Sequence, residues 1–586
     1  FTGRQLTCYR LWLTADKRDC LTQLSQLNEG RTRSASWRAW LVPLQRSLGN
    51  TMQQELPYPC SPEGSKANVK GVMTTSLHSP PPNLGEVFTK EWVVEWILDL
   101  VGYEADAEIW AKTIVEPSCG AGAFLVPIVR RLVSAALDNQ IDPADLSTSI
   151  WATDLQADSL ERASKLVSEE LLALGISEAT AQFLTGSWLH HGDFLLGDVP
   201  SADWVVGNPP YVRLEDVDDS LMKRYRTTFT TMTGRSDLYV GFYEKGLTLL
   251  KPGGQLGYIC ADRWMRNAYG QRLRRFIVDG PFSVDATIQL HDVDCFDDSV
   301  SAYPAITALS QKSQGRGVVA VATEKFDEGA AGAVTRFLRS SRSKCSTPKW
   351  RAAGMRGWFD AGPWPEGTPE EVSFVKNLER DFAPLQDKMG QTRVGIGVAT
   401  GADAAFITTD QDAAEPDRML PLVMSKHIAS GRLDWTPTYL VNPWDEHGLV
   451  NVDDFPRMEA HLAKWGRQVR GRHVATRNPS KWHRTIDRVN PALTGTPKIL
   501  LSDMKSRITP VVESGNLYPH HNLYWVTSDT WPIESLAGLL LSDFANHVIK
   551  AYCVKMRGGC YRFQAQYLRR IRVPHLQSIS RRDQDG

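Results

Sequence analysis

The chain has 586 residues, of which 42% are hydrophobic and 23% charged, with a formal net charge of −1. That length is too great for one core and implies about three units, and the composition excludes wholesale disorder and a fibrous repeat. No apolar run can span a bilayer and the first residues lack a signal peptide's apolar core, so a cytoplasmic protein with no membrane role is expected.

Nine cysteines without paired CxxC spacing fit reduced thiols and no zinc site. The chain opens on Phe1, as a trimmed or incomplete N-terminus would. Residues 1–75 form an extension of unclear role that ends in a linker-like stretch, ELPYPCSPEGSKANVKG. Helical apolar spacing begins at Glu91-Trp92-Val93-Val94, and strand-like and helix-like segments then alternate. Strands are expected at 113–115, 149–153, 204–206 and 256–260, with helices at 122–137, 159–174 and 238–250. Such alternation implies an α/β domain with a mostly parallel sheet over residues 76–335. From 345 to 586 the texture changes to Trp- and Pro-rich sequence with short β-like runs, which suggests a separate mixed α+β domain.

Asn208-Pro209-Pro210-Tyr211 follows the apolar run Trp204-Val205-Val206. Two prolines fix φ and remove two donors, so the chain leaves the sheet as a stiff loop where open α/β sheets bind ligands. The Asn208 side chain and the Pro209 carbonyl are two acceptors and Tyr211 a flat π face, which together suit a planar amino group. An Asx–proline turn is the plainer alternative. Upstream, Val115-Glu116-Pro117-Ser118-Cys119-Gly120-Ala121-Gly122 is a strand end, a carboxylate and a Gly-x-Gly turn that lets backbone approach a ligand. Asp154 ends the next strand, where a ribose would be held or a helix capped. Asp193-Phe194 offers an acid and a ring for an adenine. In chain order these groups match S-adenosylmethionine lying along the sheet edge beside a substrate amine.

Residues 85–309 resemble the catalytic domain of the gamma-class N6-adenine DNA methyltransferases of bacterial restriction–modification systems. Gly85-Glu86-Val87-Phe88-Thr89 resembles their first cofactor motif, and Glu116, Pro117, Cys119, Gly120 and Gly122 their methionine-binding loop. Asp154 resembles the ribose residue, Asp193 and Phe194 the adenine pair, and Asn208 to Tyr211 the catalytic motif. Phe296 falls where the family has an aromatic against the target base, although Asp297 replaces the usual proline. The resemblance implies a Rossmann-like seven-stranded sheet, S-adenosylmethionine as cofactor, and a C-terminal target-recognition domain that binds double-stranded DNA. Val394 to Phe406 and Lys498-Ile499-Leu500-Leu501 resemble parts of that domain. A cognate restriction endonuclease or another defence-system protein is the partner such an enzyme implies.

On this reading Asn208 and Pro209 accept the two hydrogens of an adenine N6 amine, Pro210 stiffens the loop, and Tyr211 and Phe296 stack on a base flipped from the duplex. The sulfonium supplies the activation, so no metal is expected. The basic run from Lys464 to Arg488, with Arg467, Arg470, Arg472, Arg477, Lys481 and Arg484 against one acid, suits phosphate contact, and a solvated face is its alternative. Methylation of RNA adenine or protein glutamine, which present the same two hydrogens, and a DNA-binding subunit of a defence complex are the other readings.

Overall fold

A computed structural model of the chain describes residues 87–213, 216–297, 303–386, 391–555 and 560–576. The expected extension over 1–75 and the first two residues of the Gly85-Glu86-Val87-Phe88-Thr89 motif lie outside the described residues. The chain divides into two compact units, one containing Ala67–Val372 and the other Ser373–Gly586. Among the described residues no helix is long and apolar enough to cross a membrane.

The first unit is built on a ten-stranded sheet in the order β3-β2-β1-β4-β5-β7-β6-β8-β10-β9. Its leading strands are β1 (Ile114–Glu116), β2 (Ile150–Asp154), β3 (Leu189–His191), β4 (Ala202–Gly207) and β5 (Leu250–Ala261). All five run parallel to one another. β6 (Ser283–Gln289) and β7 (Pro304–Ser310) follow, with β7 inserted antiparallel between β5 and β6.

Crossover helices α1 (Glu91–Leu100), α2 (Leu125–Asp138), α3 (Ala157–Ala173), α4 (Glu178–Trp188), α5 (Asp219–Thr228), α6 (Tyr239–Leu249) and α7 (Gln271–Asp279) accompany these strands. Successive strand residues point to opposite faces. Trp204 and Val206 therefore join one apolar cluster with α1 to α4, and Val205 joins another with the aromatic residues of α6. The expected strand at 256–260 is longer than read, because Lys251-Pro252-Gly253-Gly254 is absorbed into β5, where pairing with β4 slips between Ala202 and Trp204.

Two expectations need correction. The sheet has ten strands rather than seven, and the unit does not end near 335. α8 (Glu328–Arg339) is followed by β9 (Lys344–Ser346) and β10 (Trp350–Met355), and β10 pairs with β8 (Gly317–Ala322) along its whole length. Trp350 is buried with its ring 5.8 Å from that of Phe337. A tryptophan and a Gly- and Ser-rich stretch here mark a strand return rather than a domain boundary.

The second unit is mixed α+β, as expected. Strands Thr392–Ile396, Leu523–Ser528, Lys498–Ser502 and Val511–Glu513 form an antiparallel sheet in that order. Helices Ile533–Leu541 and Asp543–Lys550 bury Leu536, Leu540, Ala545 and Ile549 in the same core as Ile499 and Val526. Lys498, read as the start of a recognition-domain strand, is fully buried and donates to Glu513 Oε2 at 2.5 Å and to the Leu517 carbonyl at 3.1 Å.

Candidate active site

The sheet order reverses between β1 and β4, and such a switch point leaves a crevice at the carboxyl ends of the two strands. Glu116 is the last residue of β1 and Asn208 follows the last residue of β4. Ser118 Oγ donates to the Asn208 carbonyl at 3.3 Å, which ties the two loops together.

The Asn208 side chain is the most informative group. Its Nδ2 donates to the Val87 carbonyl at 3.2 Å and to Thr89 Oγ1 at 3.3 Å. Its Oδ1 is buried and has no hydrogen-bond partner among the described residues. An amide whose donor side is committed twice cannot swing, so the oxygen is held as a free acceptor, and a buried unmade hydrogen bond costs about 1–3 kcal/mol. Thr89, expected at the cofactor, thus also holds Asn208. Its own strand segment pairs with the one carrying Phe296: Thr89 bridges Phe296, Lys90 N donates to the Cys295 carbonyl at 3.0 Å, and Asp297 N donates to the Phe88 carbonyl at 3.0 Å.

Pro209 is buried, whereas Pro210 and Tyr211 are partly so. The Tyr211 hydroxyl is enclosed without a partner among the described residues, and burial first, then Cys260 and Cys295, pushes its pKa well above the usual 10. Phe296 is 6% exposed and packs in the core. The structure therefore brings Phe296 to the site by its backbone, with most of its ring already spent on packing.

On the β1 side, Gly120 and Gly122 have φ of +51° and +99°, the left-handed region that glycine enters without strain. The turn is pinned by Cys119 N to the Thr153 carbonyl at 3.0 Å and by Gly120 N to Asp154 Oδ2 at 2.9 Å. Asp154 Oδ1 accepts from Gln156 N at 2.8 Å ahead of α3. Both oxygens thus hold backbone, so Asp154 is a loop anchor as well as the expected ribose position. Glu116 is 1% exposed with Oε2 unpartnered among the described residues. Burial, then the nearby Asp154, raises its carboxyl pKa well above the usual range. A buried acid with an open oxygen fits an incoming ammonium.

At the end of β3, Asp193 Oδ1 accepts from Leu195 N and Oδ2 from the Tyr225 hydroxyl, each at 2.9 Å. Phe194, expected to present a face to adenine, is 2% exposed and stacks on Phe242 at 5.2 Å, with Lys245 Nζ 5.3 Å from its ring centroid. Its ring belongs to the core. Ser118 and Tyr225 were not legible as site residues, because their roles rest on partners 90 and 32 residues away.

In the other unit the basic run splits. Arg467, Arg470, Arg477 and Lys481 are exposed and Arg484 partly so. None of these five forms an ion pair among the described residues. Arg472 is a correction: it is 9% exposed and donates to the carbonyls of Thr400 at 2.5 Å, Val469 at 2.9 Å and Trp482 at 2.8 Å. Its guanidinium is spent on backbone, and Trp482 and His483 of the same run are buried too.

Residues 138–296 match the family described as Eco57I restriction-modification methylase. Over 503 residues the chain is 41% identical to the Type II methyltransferase M.PaeR7I of Pseudomonas aeruginosa, covering 84% of this chain and 86% of that one. Over 509 residues it is 39% identical to the Type II methyltransferase M.XhoI of Xanthomonas vasicola, covering 85% and 92% respectively. Among solved structures, the Type IIL restriction-modification enzyme MmeI in complex with DNA aligns with a TM-score of 0.52 at 12% identity, over 81% of this chain and 64% of that one. At that identity the likeness speaks for the fold alone.

Proposed function

Because the chain belongs to the Type II methyltransferases of restriction–modification systems, we propose that it transfers a methyl group from S-adenosylmethionine to the N6 amine of a flipped-out adenine at a specific site in duplex DNA. The observation that carries this reading is Asn208 Oδ1, a buried acceptor held open by the two bonds of its Nδ2. An exocyclic amine has two hydrogens and a lone pair delocalised into its ring. Two fixed acceptors, Asn208 Oδ1 and the Pro209 carbonyl, grip those hydrogens and draw the nitrogen toward sp³ character without reorganising. When bound, the sulfonium supplies an activated methyl carbon.

The chain's own residues supply position and electrostatics. Glu116 Oε2 receives the cofactor's ammonium, and that partner reverses the preference of its buried carboxyl for the neutral form. The Gly120–Gly122 turn admits the cofactor's backbone-like part, and Asp154 holds that turn. Tyr211 forms a wall for the extruded base, whose stacking recovers about 1–3 kcal/mol of the few spent on flipping. Arg467, Arg470, Arg477, Lys481 and Arg484 contact phosphates, which fix register while base edges specify sequence. As a modification enzyme the protein works alongside a cognate endonuclease or defence complex.

The test is transfer of labelled methyl from S-adenosylmethionine to genomic DNA, with modified adenines mapped by sequencing. N6-methyladenine in one sequence context, absent with Asn208→Ala, is the expected result. Label in RNA or protein with DNA unlabelled would overturn the substrate while leaving the amine chemistry intact.

A further inference from the structure

The Val394 to Phe406 segment, which resembles part of a recognition domain, ends in a group of side chains that catalysis does not use. Gly397 packs so tightly that a Cβ there would lie 2.3 Å from the carbonyl oxygens of Pro519 and His520. Val398 N donates to the Pro519 carbonyl and His521 N to the Val398 carbonyl, each at 3.0 Å. This backbone pairing brings Asp403, at the start of helix Asp403–Phe406, against His520 and His521. His520 Nε2 lies 3.1 Å from Asp403 Oδ2 and 2.9 Å from His521 Nδ1.

Protons alone serve this arrangement poorly. An imidazole nitrogen carries one hydrogen or one lone pair, and a carboxylate only accepts. With a proton, His520 Nε2 divides a single hydrogen between two acceptors; without one, its lone pair faces the carboxylate. Asp487 and Asp503 add negative charge around His521, and no Lys or Arg pairs with Asp403 among the described residues. The other cluster of metal-type ligands, Asp262, His291 and Glu366, differs at this point, because Arg266 Nη2 already lies 2.6 Å from Asp262 and 3.3 Å from Glu366.

We propose that Asp403, His520 and His521 form a binding site for one divalent transition-metal ion of the zinc class, which staples the 398–403 loop to the 518–521 segment. Two imidazoles and a carboxylate are a ligand set such ions take. Bonds of about 2.0–2.2 Å to one ion put tetrahedral ligand atoms about 3.3 Å apart, a few tenths of an ångström beyond the separations seen. Exposed His521 can open by that amount. The fourth position is left to water. Thr400 Oγ1, 2.5 Å from Asp403 Oδ1, orients the carboxylate, and Arg472 in turn holds the Thr400 carbonyl. Cysteine spacing carries no trace of such a site, whose acid and His-His pair lie 117 residues apart in the chain.

The experiment titrates the full chain, stripped with chelator, with Co²⁺ as an optical probe and then with Zn²⁺. One equivalent of Co²⁺ with a visible ligand-field band, displaced by Zn²⁺, is expected. His521→Ala, which alters an exposed ring, and Asp403→Asn should each weaken binding by roughly 100-fold or more. Both should keep the far-ultraviolet circular dichroism of the metal-free protein. Zn²⁺ should raise the melting temperature of the wild type and not of His521→Ala. Absence of a band, or a band and melting shift that persist in His521→Ala, would overturn the proposal.

Discussion

The loop after β4 and the basic run of the second unit are both short stretches whose residue types advertise chemistry, and the structure treats them in opposite ways. In the loop, the group read as functional keeps its capacity: Asn208 Oδ1 is buried and unpaired among the described residues. In the run, residues of one type are sorted by packing. Arg472 vanishes into three carbonyls, while Arg470 lays its guanidinium 3.9 Å from the ring centroid of Trp482 and stays exposed. Two prolines constrain the first stretch locally, so its geometry is nearly written in its sequence. Nothing local distinguishes one arginine of a run from the next.

The sharpest test of that contrast is Asn208→Ala. Removing one preorganised acceptor should lower kcat by about 100- to 1000-fold. Thermal stability should hardly move, because the lost bonds to Val87 and Thr89 are offset by relief of an unmet buried oxygen. Single-turnover methylation beside a thermal melt separates the two. A large drop in melting temperature with a proportionate loss of activity would mean Asn208 is structural, and the contrast would collapse.

Arg472→Ala is the mirror experiment. It leaves three backbone carbonyls without their donor in a buried place, where each costs about 1–3 kcal/mol. The expected outcome is a large fall in stability of the second unit, read by denaturant melts. DNA affinity per folded molecule should stay near the wild-type value. An arginine that contacts phosphate would show the reverse.

Much of the fold was legible for the same reason that the loop was. Apolar spacing located the start of α1 and both ends of α3 and α6 within two residues, it began α2 three residues early, and the strand carrying Trp204 to Val206 was read correctly. Elements beyond the motifs were less so. β8 and β10 are absent from the expected strands, and what defines β10 is a pairing that spans 28 residues or more. Thr89 was read as a cofactor residue because its motif resembles the family's first cofactor motif, and its hydroxyl also meets Asn208 from 119 residues away. Phe194 and Phe296 carry the right ring for a binding face, and burial decides that the ring belongs mostly to the core. Local restriction of the backbone is written in a few residues, whereas solvent exposure is a property of the assembled chain.

Buried charge in the catalytic unit offers a smaller test, read through pH. His291 is buried, which works against its charge, but Asp262 Oδ2 at 2.8 Å and Glu366 Oε1 at 3.1 Å outweigh that and raise its pKa from 6.5 to about 10. A group whose folded pKa lies above its unfolded one stabilises fully below the unfolded value and loses that contribution as pH climbs through the folded value. Wild-type melting temperature should therefore decline by several degrees between pH 6.5 and 10. His291→Gln should start lower and show a flatter slope over the same range. Equal slopes would mean that His291 is neutral in the fold.

The smallest effects are expected from the exposed cations, and they complete the contrast with Arg472. Arg467, Arg477 and Lys481 are exposed and unpaired among the described residues, so neutralising any one should leave stability unchanged. A phosphate contact is measured by counterion release: log affinity falls with log salt at a slope of about −0.9 per contact. Each such substitution to Gln should therefore lower the magnitude of the salt slope by about one and weaken cognate and non-cognate DNA alike. A change in slope for Arg467→Gln and Arg477→Gln, with none for Arg472→Ala, would separate by measurement two kinds of arginine that five residues of sequence cannot.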